Sequence, residues 1–303
     1  MSDTGAFRCA AAALRRGDSL VGTAPPAHRW LLVEHPGPWR VDAVVGSGIA
    51  PGVLRALTSA AQRRSARILL IRRFGRVRVP APRRWFVVGP GGTQSAEWVS
   101  DEDLLAAVAA LDGPDPAPGP TAVGPASPLL LVCTHGVHDT CCALRGRPVA
   151  AALAEHWPEA VWECSHVGGD RFAANVVVLP DGFYYGQLDP ESAVATVRSH
   201  LTGAVAARWL RGVSPYTPPV QAAVVGAYAR FGPLAPGAVT VVDTRRDGPG
   251  SGHGSTAAVT LAVRGQPAEE AHVVAVRRPE AQLTCRAERE TPATEYQVTW
   301  VEA

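Results

Sequence analysis

Ten residues, CTHGVHDTCC at positions 133–142, hold three cysteines, two histidines and an aspartate, directly after the apolar run PLLLV at 128–132. This set could serve a redox disulfide, a zinc knuckle, a nucleophile with its base, or half of an iron–sulfur site. A second loop, CSHVGGDRF at 164–172, follows the strand-like VWE and supplies one more thiol, one imidazole and one carboxylate.

The elements around these loops must bring them together. A strand over Leu129 to Cys133 followed by a helix over Cys142 to His156 places both thiols at one end of a sheet. The helix N-terminus then favours a thiolate through its unpaired N–H groups and its dipole. A strand over Ala160 to Cys164 delivers the second loop to the same end. Gly168 and Gly169 let its backbone come close and aim N–H groups at an anionic centre, and Arg171 could offset the centre's charge. The candidate ligands are Cys133, Cys142, His166, Asp170 and Cys164. Cys141, beside a ligand at a helix start, reads as a small buried apolar residue, and a vicinal disulfide there would be strained. Cys9 and Cys285 read as isolated core or surface thiols. His135 and His138 read as solvated or as donors to a cluster sulfur, and Arg145 as a surface cation. Trp39, Phe172, Tyr184 and Tyr185 read as core or shielding residues.

The order of elements recurs along the chain. Strand Trp30 to Glu34, helix Gly52 to Arg64, strands Ala66 to Arg72 and Trp85 to Val88, and helix Asp101 to Leu111 make a first set. The second set is strand Leu129 to Cys133, helix Cys142 to His156, strand Ala160 to Cys164, strand Asn175 to Leu179 turning through PDG into FYYG, and helix Pro190 to Leu201. The reading is an α/β fold of duplicated thioredoxin-like βαββα units, of which only the second is armed with cysteines. Four period-two runs after a helix near Gln221 to Arg230 add a small C-terminal antiparallel β meander. Two stretches rich in proline and glycine, 112–128 and 245–255, punctuate the sequence. The expected organisation is an N-terminal unit without ligands over 1–112, a linker over 113–128, the cysteine-bearing thioredoxin-like unit over 129–212, and a helix plus meander over 213–303.

At 303 residues the chain can bury a proper core, so no metal or disulfide is needed merely to hold it together. All 29 basic residues are arginine. The absence of lysine excludes Schiff-base chemistry, a pyridoxal-phosphate anchor and a P-loop. A net charge of +2 argues against wholesale nucleic-acid coating. No apolar run of membrane-spanning length and no positively charged leader point to a cytoplasmic protein without a membrane partner, in which six cysteines remain mostly thiols. Nine arginines and no acid between positions 63 and 84 offer either a docking face for an acidic redox partner or a solvated face.

Taken together, CTHGVHDTCC, VWECSHVGGDRFAANVVVLPDGFYYG and the upstream RWLLVEHPGPW resemble the sucrase/ferredoxin-like family over about residues 7 to 235. The resemblance implies a 2Fe-2S cluster held by two cysteines with eight residues between them and a second pair with three residues between them. Cys133 and Cys142 match the first pair. Where eukaryotic relatives carry two histidines, His166 matches the first and Asp170 stands at the second. The fourth ligand is then Asp170, by register, or Cys164, by ligand softness. No paired-carboxylate pattern supports sucrose cleavage. The expected function is a non-catalytic electron carrier serving unidentified donor and acceptor proteins. Two rival readings are a structural zinc site of Cys133, Cys142, Cys164 and His166, and a thiol–disulfide oxidoreductase, the latter weakened by the lack of C-x-x-C.

Overall fold

Two short segments, RWLLVE and LLLVC, are buried along their whole length, as strands are when both sheet faces are covered. They organise the two halves of one sheet in the computed structural model, which describes residues 6–75, 82–114, 128–247 and 256–301. The chain runs α1 (Cys9–Arg16), β1 (Arg29–Glu34), α2 (Pro51–Arg63), β2 (Ala66–Arg72), β3 (Arg83–Gly89), β4 (Gly92–Trp98) and α3 (Leu105–Asp112). It continues with β5 (Leu129–Cys133), α4 (Thr140–His156), β6 (Val161–Cys164), β7 (Val176–Leu179), β8 (Phe183–Tyr185), α5 (Pro190–Leu201) and β9 (Leu210–Val213). Then come α6 (Pro218–Phe231), β10 (Val239–Asp247), β11 (Thr256–Val263), β12 (Glu269–Ala281) and β13 (Thr291–Trp300).

The protein is a mixed α/β structure with a nine-stranded mixed sheet, ordered β4-β3-β1-β2-β6-β5-β7-β8-β9, and a separate four-stranded antiparallel sheet, β10-β11-β12-β13. In the first half β1 pairs β2 in parallel and β3 antiparallel. In the second, β5 pairs β6 in parallel and β7 antiparallel. The halves join in this one sheet where β2 and β6 pair antiparallel at the seam, Ile71 opposite Cys164 and Arg72 opposite Glu163. Arg72 and Glu163 close an ion pair of 2.8 Å across that seam, largely shielded from water.

Alternation along the strands divides the core. Leu31 and Val33 of β1 face one cluster with α2 and α3, and Leu130 and Val132 of β5 face another with α4, α5 and α6. Trp30, Leu32, Leu131 and Cys133 point to the opposite face, where a single cluster spans both halves and includes Cys9, Cys141, Cys142 and Cys164. Full burial of each of these aliphatic side chains contributes about 1.5–3 kcal/mol. The four-stranded sheet packs Val259, Leu261 and Val273 on α6.

Three elements were not expected from sequence. Helix α1 is a short alanine-rich segment of eight residues, while β4, a polar edge strand, and β9, interrupted by a charged residue, show no strong apolar period. The helix expected from Asp101 begins as a 3-10 turn, and α3 proper starts at Leu105. Most of the two proline- and glycine-rich stretches, with Arg76 and Arg78, lies outside the described residues. Among those described, no helix is long and apolar enough to cross a membrane.

Candidate metal centre

Cys133 ends β5 and Cys142 lies in the first turn of α4, whose N-cap is Asp139 accepting from the Cys141 amide. The helix can lie against the strand end because residue 146 is glycine; a Cβ there would fall on the Cys133 carbonyl. The two thiols interact with each other. That contact, with the amides of His135 and Val167, holds Cys133 below the ordinary thiol range against the effect of burial. Cys142 is pushed up by the same contact, by burial and by Asp170. Its Sγ donates to Asp170 Oδ1 at 3.1 Å.

Asp170 is the hub of the second loop. His166 Nδ1 lies 3.0 Å from its Oδ1 and His138 Nε2 3.7 Å from its Oδ2. Burial opposes ionisation of both His166 and Asp170, but their attraction prevails, raising the imidazole above its usual value and holding the carboxyl below its own. His166 Nδ1 is close to the carboxylate yet out of line for a hydrogen bond, which leaves a buried ring nitrogen without a hydrogen-bond partner. His138 stacks on His166 with centroids 3.7 Å apart, and His138, His166 and Asp170 converge closely enough to share one ion.

The remaining sequence candidates are placed differently. Cys164, opposite Cys133 in the parallel pairing, is fully buried in the apolar cluster, and burial pushes its thiol well up. It is not among the groups that converge on Asp170. Gly168 and Gly169 adopt left-handed φ values of 86° and 76°. They make room for Pro25 and for the Arg211 guanidinium, onto which a Cβ at either position would fall, whereas the amides that face Cys133 are those of His135 and Val167. Arg171 turns away to Asp18, 3.4 Å distant, and to the Phe172 ring.

His135 is buried rather than solvated; its Nε2 meets the Arg40 carbonyl at 2.8 Å, and His138 Nδ1 meets that of Val41 at 3.0 Å. The segment following β1 therefore grips both histidines of the cysteine loop. These imidazoles and His166 line an open cavity of about 370 Å3 with Val41, Asp42 and Ser165. The described arginines of the basic run are engaged within the chain, for example Arg63 with Asp112, Arg73 over Trp162 and Arg83 over Trp98.

Two groups escaped the sequence reading. Arg211, fully buried on β9, donates to Gly168 O and Asn175 Oδ1 at 2.9 Å each and so fixes the second loop. Burial pushes its pKa down to about 10. Its signal was a lone cation in an otherwise apolar strand. Cys9 and Cys285, expected to stand alone, instead meet Cys141 and Asp139 in a second convergence of ligand-type side chains, because α1 and the segment after β12 fold onto the start of α4.

The sucrase/ferredoxin-like family matches residues 20–212, more than half of the chain. The chain belongs to that family. Similar solved structures include two cysteine-to-serine variants of the thioredoxin-like [2Fe-2S] ferredoxin from Aquifex aeolicus, each 24% identical, covering 28% of this chain and 97% of that one at a TM-score of 0.25. No curated protein matches. The family segment contains both metal-type loops and Arg211, whereas α1 and the strands from β10 onward lie beyond it.

Proposed function

We propose that this family member is a one-electron carrier with a 2Fe-2S cluster between the two loops, Cys133 and Cys142 as one ligand pair and His166 and Asp170 as the other. The observation that carries the reading is the unbroken contact from the Cys133–Cys142 thiol pair through Asp170 to His166. The donor set fits: two thiolates at a strand end and helix start, backbone N–H groups on Cys133, and a ring nitrogen free of hydrogen bonds. Asp170 is preferred to Cys164 because it already touches both Cys142 and His166. A single zinc held by Cys133, Cys142, Cys164 and His166 would need Cys164 to leave its apolar surroundings. The two halves of the large sheet, sharing their order of connections, are read as thioredoxin-like units derived from one another.

When bound, the cluster accepts and returns one electron. Cys133 and Cys142 are shielded from water, while the side chains of His138 and His166 remain 32% and 28% exposed. His138 and His166, with the adjoining cavity, would then offer donor and acceptor proteins the accessible edge of the site. The Arg40 and Val41 carbonyls hold the neighbouring imidazoles in place, limiting reorganisation between oxidation states.

The test is iron, acid-labile sulfide and visible absorption of the anaerobically prepared chain. About two irons and two sulfides per chain with a red-brown spectrum are expected. Absence of labile sulfide overturns the reading, whatever zinc is present.

A further inference from the structure

Beyond the proposed cluster, the region where both ends of the chain meet α4 holds a second set of ligands. Cys9 sits in the first turn of α1, Asp139 and Cys141 at the start of α4, and Cys285 in the segment between β12 and β13. Cys285 Sγ lies 3.5 Å from both Cys9 Sγ and Cys141 Sγ, and Cys9 Sγ lies 3.5 Å from both Asp139 oxygens. We propose that Cys9, Asp139, Cys141 and Cys285 form a mononuclear site for a thiophilic divalent cation, zinc, separate from the first centre.

The spacing favours a metal over a disulfide. Two thiolates about 2.3 Å from a tetrahedral zinc are about 3.8 Å apart, whereas a disulfide draws its sulfurs to about 2.05 Å. The four ligand atoms all lie within 4.8 Å of one another, which suits one ion. The chemistry of the surroundings points the same way. Asp139 is completely buried, and no ion pair to it is found among the described residues. A buried carboxylate beside three thiols calls for a cation.

The shell is already organised. The amides of Cys141 and Cys285 donate to Asp139 at 2.9 and 2.7 Å, and those of Cys9 and Ala10 face the sulfurs of Cys285 and Cys141. The N-termini of α1 and α4 both point at the cluster, offsetting its negative charge. Adjacent residues on a helix point about 100° apart, so Cys141 and Cys142 serve different sites. This gives the vicinal cysteine pair a purpose that neither packing nor a disulfide supplies.

Bound zinc would clasp α1 and the β12–β13 segment to the loop that carries Cys142. Two hydrogen bonds accompany that attachment, Arg286 to Val137 O at 2.9 Å and Arg278 to Arg16 O at 3.3 Å. Cys9 and Cys285 lie outside residues 20–212, so the clasp reaches beyond the family segment.

The experiment uses the full chain carrying Cys133→Ser and Cys142→Ser, which removes both thiols of the first centre, with cobalt(II) and then zinc as probes. One equivalent of tetrahedral cobalt with strong thiolate-to-metal absorption, displaced by zinc, is expected. Adding Cys9→Ser or Cys285→Ser should weaken zinc binding by more than about a hundredfold, beyond the loss caused by removing a mere outer partner of a ligand. If those further variants do not fold, the parent variant still decides, since thiolate–cobalt absorption requires a preformed thiol cluster among its remaining cysteines. No thiolate–cobalt absorption in the parent, or a spectrum unchanged by Cys285→Ser in a folded protein, overturns the site. Iron and sulfide in the unmutated chain report the first centre independently.

Discussion

After β1 the chain runs through HPGPWRVDAVVGSGIA, residues 35–50, before entering α2; after β5 it runs through THGVHD, residues 134–139, before entering α4. Each segment joins a first strand to a first helix, and the strands beside them pair in the same directions. The shorter one presents ligand-type side chains. The longer one offers backbone carbonyls to His135 and His138 and builds a wall of the cavity in front of them. A shared strand order thus fixes where a loop arrives, while its side chains decide whether it forms a centre or braces its neighbour's.

The most severe break in this comparison is at the armed loop. Cys133→Ser or Cys142→Ser should abolish the cluster, read as lost iron, sulfide and visible absorption, while Cys141→Ser and changes in residues 35–50 retain it. Equal loss from Cys141→Ser would show that the thiols have been paired wrongly.

A second test contrasts the two helices that follow these loops. Gly146→Ala places a methyl group on the Cys133 carbonyl and should cost about 1–3 kcal/mol while moving Cys142 off the pair. Gly52→Ala near the start of α2 meets open space and should be neutral or stabilise by up to about 1 kcal/mol. Chemical denaturation checks both, with iron content as a second readout for the first.

Asp170 against Cys164 is a subtler contrast. Asp170→Asn should shift the spectrum strongly. Cys164→Ser should leave the spectrum nearly intact but lower stability by about 1–3 kcal/mol, since a hydroxyl would be buried there in apolar surroundings. The reverse pattern would assign the ligand role to Cys164.

The smallest effect concerns the bracing loop. His35 accepts from the Gly37 amide at Nδ1 (3.2 Å) and meets the Ser47 carbonyl at Nε2 (2.9 Å), an arrangement that requires the neutral ring. Burial holds its pKa below the ordinary value, helped by Arg83 and opposed by the Ser47 carbonyl and Asp101. The unfolded chain therefore binds the proton more readily. The contribution of His35 is present above about pH 6.5 and is lost as pH falls through the folded value. Denaturation of wild type and His35→Gln between pH 5 and 8 should show a shallower slope in the variant, by less than about 1 kcal/mol across the range. Identical slopes would remove His35 from the brace.

Much of the half that follows β5 was legible because its signals are local. LLLVC is too apolar to be other than a buried strand, DPESAVATVRSHL opens on the capping pair Asp189 and Ser192, and two cysteines framing a strand-to-helix loop share one end of a sheet by geometry alone. The seam was not legible, since Ile71 and Cys164 pair only when both halves are folded. Nor was the role of Gly168 and Gly169, which depends on Arg211 arriving from β9.

By itself, then, the sequence determined the first pair of thiols, the loop bearing His166 and Asp170, and the order of elements that delivers them, because each depends on residues a few positions apart. The tertiary structure decided which carboxylate touches which thiol, that Cys164 stays in the core, and that Cys9 and Cys285, 276 residues apart, meet at the start of α4. Such encounters carry no local pattern. They follow from the burial of apolar surface, which closes the chain on itself and brings distant side chains into reach.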